Sequence, residues 1–165
     1  MADVVGLIVR FFHIVFGIAW IGAVMYGVGV MRRVLPRLDM PARKATMKQL
    51  IPVVSQYLPG SAVMTILTGA ILYLYLSGLD VSMMLGSAWG LVLLTALLLA
   101  IAAFSLGIVF GIGSAKKVLK HLEEAECTHG PEVAALTARF NRVQIVVLAL
   151  GLVVIGLMAV ATEIG

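Results

Sequence analysis

Long uncharged stretches alternate with short basic ones along this chain. Residues 49–79 and 81–115 contain no Asp, Glu, Lys or Arg at all. A helix that crosses a hydrocarbon core about 30 Å thick needs about 20 mainly apolar residues, each rising about 1.5 Å. Four segments meet that length, 5–31, 53–76, 88–114 and 143–162. The first carries Arg10 and His13, and the other three carry no formal charge. Apolar positions run continuously within each segment, whereas a transmembrane barrel would alternate them over about eight or more short strands. The pattern therefore predicts an all-α fold, an integral-membrane antiparallel four-helix bundle forming one transmembrane domain over 1–165.

The polar positions set the topology. Residues 32–52 hold Arg32, Arg33, Arg37, Arg43, Lys44 and Lys48, and residues 115–142 hold Lys116, Lys117, Lys120, Arg139 and Arg142, which is eleven of the twelve basic residues. By the positive-inside rule both connections are predicted to face the cytoplasm. The connection 77–87 has only Asp80 and the C-terminus ends in Glu163, so the N- and C-termini are predicted outside. No basic n-region and small-residue cleavage site precede the first run, which reads as a retained span rather than a signal peptide. Pro36, Pro41 and Pro52 punctuate the first connection, where 42–50 is expected as a short surface helix meeting anionic lipid, and Pro59 is expected to kink the second span. Val118, Leu122 and Ala125 recur at helical spacing, so the third helix should outrun the bilayer and stop near Thr128. Gly130 and Pro131 suit a break before a new helix from Glu132 into the fourth span. Ser61, Thr65 and Gly69, and Ala103, Gly107, Gly111 and Ala115, form small-residue stripes that let helices approach closely.

Composition narrows the function. The chain has 165 residues, 62% hydrophobic and 12% charged, against about half and a quarter in soluble domains, so a soluble enzyme is excluded. The single cysteine, Cys127, permits no internal disulfide. The net charge of +4 reflects sidedness in the membrane and gives no argument for nucleic acid. No glycine-rich phosphate loop, paired carboxylates or serine nucleophile occurs at useful spacing.

An ionisable residue inside a span costs a few kcal/mol and is by default a functional hypothesis. His13 is the one deep in a span, about 12 Å along the helix from residue 5 at about 1.5 Å per residue. Arg10 stands one turn outward on nearly the same face and can snorkel to the headgroups. Gly17 at i+4 and Trp20 at i+7 suggest a notch beside the imidazole, flanked by Phe12, Phe16 and Trp20. Haem b needs an axial ligand, apolar walls and a cation for its propionates; His13, those aromatic rings and Arg10 could supply one of each. On these residues alone, a histidine strut bonded to a neighbouring helix, with Arg10 an interface anchor, accounts for the pattern equally well.

The stretch 11–26, FFHIVFGIAWIGAVMY, resembles the first span of the superfamily that includes CopD-type copper-resistance proteins, HemJ-type protoporphyrinogen oxidases and the membrane domain of cytochrome-linked urate oxidases. In those families a first-span histidine is followed at i+7 by tryptophan and then by glycine, like His13, Trp20 and Gly22. A Thr-Gly pair like Thr68-Gly69 ends their second span, a tryptophan like Trp89 opens the third, and an arginine like Arg142 precedes the fourth. The resemblance implies a four-helix haem-b module with His13 as axial iron ligand. HemJ-type and many CopD-type proteins place a lysine about one turn after the third-span tryptophan. Here Trp89 is followed by Gly-Leu-Val-Leu-Leu, without a cation in that span, which favours electron transfer over porphyrinogen oxidation.

The expectation is a b-type haem protein in a prokaryotic cytoplasmic membrane, passing electrons between a quinol or membrane partner and an outer acceptor, as a homo-oligomer or a subunit of a membrane redox complex surrounded by lipid. For a second iron ligand Met64 and Met158 are candidates by depth, although a methionine in a span is far more often packing, and a five-coordinate iron or a histidine from a partner chain accounts for the sequence equally well. One alternative is a non-catalytic structural subunit of a larger membrane complex; another is copper transport as in CopD-type proteins, although the nine methionines are scattered. His121, Cys127 and His129 lack the fixed spacing of a zinc site.

Overall fold

The computed structural model describes residues 3–123 and 130–164. Four helices are long and apolar enough to cross a membrane. They are α1 (Val4–Arg37), α2 (Met40–Leu76), α4 (Ala88–His121) and α5 (Gly130–Ile164), with the short α3 (Val81–Gly86) between α2 and α4. No strand occurs among the described residues. The all-α bundle of four spans is thus the architecture observed, and this is a multi-pass membrane protein.

Successive spans run antiparallel. Gly6 of α1 lies against Tyr75 of α2, His13 against Gly69, and Gly17 against Thr65, so numbers fall on one helix as they rise on the other. In the same way Gly107 of α4 meets Val147 of α5, and Gly111 meets Val143 and Gln144. The stripes of small residues therefore lie at helix contacts, where the absence of a bulky side chain brings backbones together. The two hairpins close on each other through Trp20, Ile21, Val24, Ala62, Ala103 and Val147, all buried. Residues 3, 77–87 and 164 lie at one end, the terminal end, and the two basic connections lie at the other, the basic end.

The helix starts are written in side chains. Asp3 accepts from the Gly6 amide at 3.2 Å, Asp39 from Ala42 at 3.0 Å, Asp80 from Ser82 at 2.8 Å and Ser87 from Gly90 at 2.9 Å. Each supplies an acceptor to an amide that has no partner within its own helix. α2 ends with the Leu79 amide bonding to Leu74 O at 3.3 Å and the Gly78 amide to Tyr75 O at 3.2 Å. This crossed pair is a Schellman ending, and it requires the left-handed backbone that Gly78 adopts at φ +59°.

Two features depart from the sequence reading. The surface helix expected at 42–50 is not separate: α2 is one helix of 37 residues that begins at Met40 and carries Pro52 and Pro59 inside it. Each proline removes a single backbone bond, but breaking the helix there would leave several more backbone groups unpaired against lipid. The second departure is a pair of π-helical segments, Gly27–Met31 in α1 and Gly107–Ile112 in α4. As predicted, α4 continues past 114, reaching His121; its expected stop near Thr128 lies outside the described residues.

Candidate functional site

His13 reaches the site from the α2-facing side of α1. Its Nδ1 lies 3.0 Å from the backbone oxygen of Thr65 and 3.3 Å from Thr68 Oγ1. A carbonyl oxygen can only accept, so Nδ1 carries the proton and donates it. Thr68 Oγ1 gives its own proton to Met64 O at 2.6 Å, which leaves its lone pairs free to accept from Nδ1. Nδ1 is thus the ring's anchored donor, and Nε2 is the nitrogen left to face away from the seat. Among the described residues Nε2 makes no hydrogen bond.

Gly69 is what admits the ring. A Cβ at that position would stand 2.8 Å from His13 Cε1 and 3.2 Å from Nδ1, closer than side chains tolerate. Thr65, Thr68 and Gly69 thus form a seat on one face of α2 at spacings of three and four residues. Several other hydroxyls of the spans bond back to their own helices, as Ser61 does to Tyr57 O, Thr95 to Leu91 O and Ser105 to Ile101 O. His13 instead joins two helices.

The predicted neighbours divide. Arg10, one turn toward the terminal end, is exposed. Phe16 is half-buried and stacks on Phe12, with ring centroids 6.1 Å apart and planes at 21°. Gly17 faces the Thr65 methyl, 3.8 Å from where a Cβ would stand, so the close approach predicted there falls one turn away, at Gly69. Trp20 is 5% exposed and packs in the bundle core with Ala62 and Ala103. Met64 is 40% exposed on the flank of α2, one turn from Thr68, and Met158 is half-buried on α5. His121 Nε2 lies 3.7 Å from Glu132 Oε1 at the basic end, while Cys127 and His129 lie outside the described residues.

The seat itself escaped the sequence reading. Thr65 and Gly69 read there as a packing stripe, and Thr68 only as half of a Thr-Gly pair. The available signal was a Thr-x-x-Thr-Gly run at a depth matching His13 on an antiparallel neighbour. A half-buried imidazole with one nitrogen anchored and the other open can ligate a metal, exchange a proton, or simply clasp two helices. The chain matches no protein-family model, no curated protein and no solved structure.

Proposed function

We propose that this protein is a b-type haem carrier of electrons in a prokaryotic cytoplasmic membrane, with its basic end in the cytoplasm and both termini outside. The observation that carries this reading is the state of His13. Histidine ligates through a neutral ring nitrogen, and ligating histidines commonly donate their other N–H to a carbonyl or carboxylate that fixes the ring. The Thr65 carbonyl does this for Nδ1, leaving Nε2 for iron. A haem bound there would supply a one-electron Fe(II)/Fe(III) couple.

The chain's own residues fit one axial position and part of a pocket. Thr65 and Thr68 hold the tautomer, Gly69 sets how deeply the ring sits, and Phe12 with Phe16 offers an apolar aromatic surface. Arg10, exposed one turn nearer the terminal end, would meet a propionate near the headgroups. Because this flank of the α1–α2 hairpin is partly open, its second wall would come from another copy of the chain, a partner subunit or lipid, and Met64 is the methionine on that flank available as a second ligand.

Gentle extraction and absorption spectroscopy test the proposal. The purified protein should show a Soret band that shifts on dithionite reduction and a pyridine haemochrome of haem b. His13→Ala should lose both while keeping its helical circular dichroism. A protein that is colourless even from cells fed haem precursor sinks the reading.

The bond from His13 to the Thr65 carbonyl also favours a second reading, in which the chain is a structural subunit of a membrane complex and His13 is only a clasp between α1 and α2. In that case no pigment appears, and His13→Gln, which keeps a donor, should retain most of the stability that His13→Ala loses.

A further inference from the structure

A cavity of about 220 Å³ lies among α1, α2, α4 and α5 in the half of the bundle toward the basic end, away from His13. Its walls are mostly aliphatic, with Val24, Ile51, Leu58 and Val118 among them. Its aliphatic part offers water few of the two to four polar partners that an ordered water needs. Both π-helical segments border it, Gly27, Val28 and Met31 from α1 and Ile112 from α4. A π-bulge gives up regular backbone bonding, and such segments concentrate at functional sites.

Three polar side chains enter this apolar space, Ser55 of α2 and Asn141 and Gln144 of α5. Gln144 is 7% exposed, yet among the described residues none of the three makes a side-chain hydrogen bond. The Gln144 side chain lines the cavity, so its amide is open to a hydrogen bond from whatever enters, worth about 0.5–1.5 kcal/mol. At the basic end of the spans, a molecule entering from the membrane or its interface can supply that bond. Tyr57 and Arg32 also line the cavity and are exposed, so the space communicates with the surface.

We infer that this cavity binds the head of a membrane-soluble quinone or quinol, with the Gln144 amide as its hydrogen-bond partner. An acyl chain fills apolar volume but satisfies no amide. A charged headgroup would stay with Arg32 at the exposed rim, since carrying its charge in among the aliphatic walls costs far more than burying a neutral polar group. A neutral ring bearing carbonyls or hydroxyls meets both demands: a quinone carbonyl accepts from the amide N–H, and a quinol hydroxyl donates to the amide oxygen. The site uses no residue of the His13 seat and stands whether or not haem binds there.

The fluorescence of Trp20 reports on it. Trp20 lines a smaller adjoining cavity that shares Val24, Leu58, Ile112 and Gln144 with the large one, and Trp89 sits at the far end of the bundle beside Tyr73. In the full-length Trp89→Phe protein in lipid nanodiscs, decyl-benzoquinone should quench Trp20 saturably. Gln144→Leu should weaken that binding at least tenfold, and Ala115→Phe, which fills the cavity from α4, should abolish saturation. Decylbenzene, with the same tail and no carbonyl, should not compete. Equal affinity in the Gln144→Leu protein, or equal competition by decylbenzene, would overturn the inference and leave an acyl-chain crevice. Should Gln144→Leu fail to keep its helical circular dichroism, Asn141→Leu and Ser55→Val provide the same comparison, each expected to weaken quinone binding severalfold; unchanged affinity in both would equally overturn it.

Discussion

A glycine can matter more for what it lets in than for the backbone it permits. Gly69 is helical and unstrained, and its value is the imidazole resting where a methyl group would be. Gly69→Ala should push the His13 ring off its seat and lengthen the Nδ1 contact to Thr65 O. Overpacking of this kind costs about 1–3 kcal/mol, to be read from SDS-titration unfolding in mixed micelles; under the haem reading, pigment occupancy should fall with it. Leu79 is the opposite case, since its φ of +61° is a left-handed conformation that costs a residue with a Cβ about 1–2 kcal/mol. Leu79→Gly should therefore stabilise the α2 ending by up to about 1 kcal/mol in the same assay.

The helix caps give the elements a pH dependence. The carboxyl of Asp3 is held below the usual carboxylate range, chiefly by the Gly6 amide and then by the Tyr75 hydroxyl. That of Asp80 is held low by the Ser82 hydroxyl and the Ser82 amide. A depressed folded value means that the charged form is favoured by folding. The stability it contributes is complete above the unfolded value, about 3.9, and is lost as pH falls through the lower folded one. The melting temperature of the wild-type protein should thus drop between about pH 4 and pH 2 by more than that of an Asp3→Asn, Asp80→Asn double variant, in which asparagine still caps but does not titrate. Parallel curves for the two proteins would refute this. Across the same end, the Tyr73 hydroxyl donates to Met84 O at 3.0 Å, tying α3 to α2 where Asp80 begins it.

For the whole molecule the distribution of charge is the strongest feature. The spans bury only 11–28% of their most apolar stretches within the chain, so lipid or other subunits must cover the rest, and the basic connections gather at one end. The proposed orientation, basic end in the cytoplasm, follows the positive-inside rule and is open to a direct test. In a Cys127→Ser background, Val81→Cys should react with a membrane-impermeant maleimide on intact cells, and Ala45→Cys should react only after permeabilisation. The reverse labelling would turn the bundle over and place His13 nearer the inner leaflet.

Hydropathy runs and cap residues are local properties, and from them the sequence alone determined the helical class, four spans, the continuation of α4 and the segregation of charge. It also singled out His13, because an ionisable group in a lipid-length run is conspicuous wherever the chain folds. What the imidazole touches was decided by tertiary structure: its partners lie 52 and 55 residues away, and only the register of α1 against α2 brings them together. The same holds for Trp20, whose spacing from His13 is that of a neighbour on one face, yet the second hairpin claims it for the core. The cavity around Gln144 is likewise a product of four helices meeting, and the π turns that border it break the 3.6-residue period on which any one-dimensional reading depends.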